Sequence, residues 1–192
     1  MTPEPGPAGE PTGRLTAAGW VLDEDTTETL VELPGVRVEG RTRVYQDEAL
    51  REAFATAGAP DQIWRFVFVT RLAFEPSLPA GLTTAIKSRI VAAATGRFES
   101  DLDGRGFEDI RQGTNQQFRH PAATATLTPF QASYPLADLP DIEVGGYLAV
   151  WEDEGFRLAG GAYPRLETAP IEPDSEKESF RSELFDLIRA VR

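Results

Sequence analysis

His120 is the sole histidine of the chain, and cysteine is absent. A Ser-His-Asp triad would have to run through His120, and thiolate chemistry and multi-histidine metal sites are excluded. His120 precedes Pro121, which holds the histidine extended. As a general base it would need a nucleophile close in space. Thr124, Thr126, Thr128 and Ser133 follow it, but no Gly-x-Ser-x-Gly elbow occurs anywhere in the chain. A hydrolase or lyase combining His120 with carboxylates is therefore the alternative reading, behind a non-enzymatic one.

Carboxylates cluster at two places. Glu152, Asp153 and Glu154 crowd one turn, and acid–base work there would need burial to separate their pKa values. A hairpin tip is wet, so they read as solvated charges. Asp101 and Asp103, with Gly104 and Gly106 after them, look like part of a calcium loop. Arg105 then takes the fifth position, where an oxygen ligand belongs, and Gln112 takes the twelfth, where a bidentate Glu belongs. A solvated turn between helix and strand is expected there, with no metal and no other cofactor.

Glycine pairs stand at Gly145-Gly146 and Gly160-Gly161. Neither forms Gly-x-Gly-x-x-Gly or a Walker loop. They are nearly equidistant from the turn between them, so Gly145 and Gly160 are expected close together in a hairpin. Facing glycines would let a helix or a ligand approach the sheet. Arg65 and Arg71 flank an aromatic strand. They can pair with carboxylates of the long helix or hold an anionic ligand at the sheet edge.

These residues need elements to position them. Thr27–Leu33 and Val36–Tyr45 read as strands around Pro34-Gly35. In the second, Val36, Val38 and Val44 share one parity, while Arg37, Arg41 and Arg43 take the other. Asp47 caps a short helix, Glu48–Thr56. Gln62–Phe74 is the strongest strand, apolar on both faces and so central. Leu82–Phe98 is the longest helix, with Leu82, Ile86, Ile90, Ala94 and Phe98 in one stripe that fades at Leu102. Strands follow at Phe107–Arg111, Gln116–Arg119, Ala122–Tyr134, Ile142–Trp151 and Phe156–Tyr163. Asp174 or Ser175 caps a last helix reaching about Val191. The fold class is α+β: an antiparallel sheet with two main amphipathic helices covering one face, its strand order open. Residues 1–13, rich in Pro and Gly, read as a disordered leader, and 14–192 as one domain.

The charge balance speaks about solvent. Two lysines, Lys87 and Lys177, and 17 arginines stand against 31 acidic residues, for a net charge of -12. Arginines dispersed among carboxylates do not form the basic patch that nucleic acid or an anionic membrane requires. In molar salt the Debye length falls to about 3 Å, so a dense acidic shell stops repelling itself. GC-rich coding by itself favours arginine over lysine, but low lysine together with the acidic excess favours a halophilic protein of a potassium-rich cytoplasm, which is the expectation. No apolar run suits a membrane span, and the N-terminus lacks the pattern of a secretory signal.

Trp64-Arg65-Phe66-Val67-Phe68 with Thr70-Arg71-Leu72, and Gly160-Gly161-Ala162-Tyr163-Pro164, resemble segments of uncharacterised haloarchaeal proteins. That resemblance implies an archaeal, salt-adapted chain and transfers no active site. The order of elements is similar to the fold of PsbP, the photosystem extrinsic protein, whose members mostly bind partners rather than catalyse. The expected activity is binding of a protein or small-molecule partner through the sheet. A homo-oligomer joined by an aromatic sheet face is a third possibility.

Overall fold

A computed structural model describes residues 12–79, 81–171 and 180–191. The expected leader lies outside these up to residue 11. Thr12 and Gly13 open a short helix, α1 (Thr12–Ala17). The remaining elements run β1 (Trp20–Leu33), β2 (Val36–Asp47), α2 (Glu48–Thr56), β3 (Phe66–Glu75), α3 (Thr83–Gly104), β4 (Glu108–Gln112), β5 (Gln116–Arg119), β6 (Thr124–Tyr134), β7 (Ile142–Glu152), β8 (Phe156–Pro164) and α4 (Phe180–Ala190). The expected Asp174 or Ser175 cap lies outside the described residues.

Local chemistry accounts for the boundaries. The Asp47 carboxylate accepts a hydrogen bond from the Leu50 N–H at 3.1 Å, satisfying one orphan donor at the start of α2. The β7–β8 turn is closed by Asp153 N–H donating to the Gly155 carbonyl at 2.7 Å, and Gly155 takes a φ of 115° that side chains disfavour. Helix α3 runs past the expected fade to Gly104. Leu102 is only 1% exposed and extends the buried stripe, while Arg97 pairs with Asp101 at 3.0 Å one turn on.

The strands form one antiparallel eight-stranded sheet in the order β1-β2-β3-β8-β7-β6-β4, with β5 also pairing to β6. Strand β3 lies between β2 and β8, as its two apolar faces require. Phe66 and Leu72 on one face join a core with Ile90, Ala94, Phe98 and Leu102 of α3. Val67 and Val69 on the other join a second core with Leu15, Leu184, Ile188 and Val191, from α1 and α4 with their flanks. The expectation of both main helices on one face is thus corrected. The helices take opposite faces because a strand apolar on both sides needs cover on both. Each of the large α4 side chains brings about 1.5–3 kcal/mol of burial.

Candidate functional site

An open cavity of about 390 Å³ lies on the α3 face, between the C-terminal half of that helix and the β1–β2–β3 end of the sheet. Its floor is apolar: Phe66 and Phe68 of β3, Phe98 of α3, Leu148 of β7 and Leu158 of β8. The Phe68 and Phe98 rings stand 5.4 Å apart, and Phe98 meets Phe130 edge-on at 4.8 Å. Space arises where the sheet carries small or polar residues on this face. Gly40, Thr42 and Thr70 line the cavity, with Thr42 directly opposite Thr70. A Cβ on Gly40 would stand 3.0 Å from the Thr70 methyl, so Gly40 leaves room that any side chain would fill. The Thr42 and Thr70 hydroxyls are 2.8 Å apart. One donates to the other, which leaves one O–H donor and acceptor lone pairs for a guest.

Charge surrounds the mouth. Arg105 reaches from the end of α3 to Glu24 of β1 at 3.1 Å, and Arg97 reaches Glu28 at 2.7 Å. Arg97 also holds Asp101 at 3.0 Å. The Arg105 guanidinium lies 5.0 Å from the Phe66 ring centre, a cation on the aromatic floor. Burial pushes the Asp101 carboxyl above the ordinary carboxylate range, against the opposing pull of Arg97 and Arg105. Cross-mouth ion pairs between exposed side chains are individually weak, about 0–1 kcal/mol each, so they can yield to a ligand.

The sequence candidates fall elsewhere, with one partial exception. Asp101 is at the mouth, but Asp101 and Asp103 lie in the last turn of α3 and not in a loop, which removes the calcium-like geometry. Among the described residues no group of three His, Asp or Glu could hold a metal ion. His120 is on the opposite face of the sheet. Its ring stacks on Trp151 at 4.3 Å, its Nδ1 accepts from Ala122 N–H, and its Nε2 meets the Ile188 carbonyl at 3.2 Å. Both nitrogens therefore hold backbone. Arg65 is buried between the Trp20 and Phe180 rings and forks to Asp47 at 2.9 Å and Glu183 at 2.6 Å. It ties α2 and α4 to the sheet, rather than pairing with α3.

Arg71 lies on interior strand β3, not at a sheet edge, where it stands between Arg41 of β2 and Arg157 of β8 in one lateral row. Arginines that look scattered along the chain are thus gathered in space. Asp25 answers part of that charge, binding Arg41 at 3.0 Å and Arg43 at 2.9 Å. The hydrogen bond from Arg41, above all, holds the Asp25 carboxyl below its usual range.

Gly145 and Gly160 are not cross-strand partners. Gly145 pairs with Tyr163 and Gly160 with Leu148, so the two glycines face opposite sides. The Tyr163 ring covers Gly145, within 3.1 Å of where a Cβ would stand. A Cβ on Gly160 would collide with the Tyr147 carbonyl and lie 2.9 Å from the Phe68 ring. Gly160 thus serves the cavity indirectly, by letting Phe68 lie close over the sheet.

The sheet residues that line the cavity were missed by motif reading, yet they left a trace. The apolar parity of β2 runs through Val36, Val38 and Val44 and skips Gly40 and Thr42. That of β3 runs through Phe66, Phe68, Leu72 and Phe74 and skips Thr70. The skipped positions are adjacent in the sheet, and they are the cavity wall.

Among solved structures, one match is the crystal structure of the di-domain ARO/CYC StfQ from the steffimycin biosynthetic pathway. It is 11% identical over 86% of this chain and 82% of that chain, with a TM-score of 0.13, too low to bear on fold or function. No curated protein matches the chain. A family model described as a domain of unknown function, DUF6517, matches residues 7–192, and the chain belongs to that family.

Proposed function

We propose that the protein is a non-catalytic binding module, working as one domain, that takes a small ligand into the groove between α3 and the sheet. The observation that carries this reading is the cavity itself: about 390 Å³, aromatic at its floor, with a threonine pair within and charges confined to the mouth. Small-molecule sites are of this size, predominantly apolar, with few polar groups set to orient the guest. The composition supports a setting of concentrated salt in a cytoplasm, where two lysines and a charge of -12 are no burden.

Titration with the neutral fluorophore N-phenyl-1-naphthylamine tests the reading. Saturable, one-to-one fluorescence enhancement is expected. Thr42→Phe, which puts a ring into the cavity, should weaken it at least tenfold, and Thr26→Trp at the exposed mouth should act in the same direction. Full binding by both variants, with their circular dichroism unchanged, would place the fluorophore elsewhere and overturn the reading.

A further inference from the structure

We infer that the natural ligand of this groove is a cation with an apolar body, an alkyl or aryl amine of a size for a cavity of about 390 Å³. The inference rests on the binding reading above and adds the charge of the guest. Three carboxylates line the mouth, from Glu24, Glu28 and Asp101, against the two guanidiniums of Arg97 and Arg105. Arg105 is committed to Glu24. Arg97 is divided between Glu28 and Asp101, at 2.7 and 3.0 Å. The mouth is thus one positive charge short, and its half-buried carboxylate, Asp101, shares Arg97 with Glu28. An anionic head would widen the deficit, whereas an ammonium would close it.

The protein also shows how it holds a cation at this place. Arg105 sits with its charge on the Phe66 face and a carboxylate at its edge. That pairing of ring and carboxylate is the chemistry by which proteins recognise ligand ammonium groups. With Phe68 and Phe98 continuing the floor beyond Phe66, an amine can set its head near Asp101 and run its chain over the rings. The net charge of -12 adds a long-range field that concentrates cations at an acidic cleft.

The test is competition against N-phenyl-1-naphthylamine by octylamine, octanol and octanoate, which share a chain and differ in charge. It uses the full chain in the lowest KCl concentration that preserves its circular dichroism. Octylamine is expected to displace the fluorophore at a concentration about tenfold below octanol, and octanoate at the highest of the three. Asp101→Asn should erase the advantage of octylamine over octanol, read as the ratio of their two potencies within the variant; Glu24→Gln should narrow the same ratio, should Asp101→Asn lose the fold. Equal potency of octylamine and octanol, or octanoate strongest, would overturn the charge inference while the binding reading stands. Failure of the fluorophore to bind at all would overturn both.

Discussion

The His120 ring is held by backbone on both sides. Ala122 N–H donates to Nδ1, which leaves the proton on Nε2 to donate to the Ile188 carbonyl. The ring is therefore neutral, and burial, its main perturbation, lowers its pKa below the ordinary 6.5. A depressed folded pKa means that the unfolded chain binds the extra proton first. The stabilisation is complete above about pH 6.5 and is lost as pH falls through the lower folded value. Thermal unfolding between pH 7 and pH 5 should show wild type losing stability more steeply than His120→Gln, which cannot titrate. At pH 7 the same variant should be less stable by about 1–3 kcal/mol, for the backbone groups it leaves badly paired. Equal pH slopes would remove His120 as the source. Nothing next to His120 in sequence discloses this role. Pro121 sets its extended backbone, but Trp151 and Ile188 reach it only through the folding of β7 and α4.

Elements were legible where period and punctuation agreed. The Asp47 cap and helix Glu48–Thr56, strand Gln116–Arg119, and the hairpin ended by Gly155 all follow from local chemistry that needs no distant partner. The order of strands did not follow. β8 lies beside β3 although 80 residues separate Glu75, the end of β3, from Phe156, and no local signal records that pairing. The glycines of β8 show the consequence. Gly160→Ala should destabilise the fold by about 3 kcal/mol in denaturant titration, since its methyl meets the Tyr147 carbonyl and the Phe68 ring, and neither can retreat without opening the sheet. It should also weaken fluorophore binding, because Phe68 is part of the floor. Gly96 in the exposed flank of α3 is the contrast. A Cβ there meets nothing within 4 Å, so Gly96→Ala should stabilise by about 0.5–1 kcal/mol. The same residue type thus gives opposite signs at two positions, and the tertiary surroundings set each sign.

At the scale of the molecule, 31 acidic residues against 19 basic ones must repel in dilute buffer. Raising KCl from 0.05 to 2 M should therefore raise the melting temperature by several degrees, through screening of that repulsion. An unchanged midpoint would sink the salt-adapted reading. The arginines temper the repulsion unevenly. Arg41, Arg71 and Arg157 come from three stretches of chain and meet only because β2, β3 and β8 are neighbours. Composition, by contrast, is independent of folding. Charge, the absence of thiols, the single histidine, and the helix and strand periods were all determined by the sequence itself, because each is a property of residues near one another along the chain. The two-sided apolar pattern of β3 even contained the two-layered cover of the sheet. What only the tertiary structure decided was which sparse positions coincide. Gly40 and Thr42 on β2, Thr70 on β3 and Asp101 on α3 make a cavity because antiparallel register and helix packing place them side by side. The gaps they leave in the apolar parity of each strand are visible along the chain, but not which gaps meet, since long-range pairing is set by the summed burial of whole elements and not by any one of the residues it brings together.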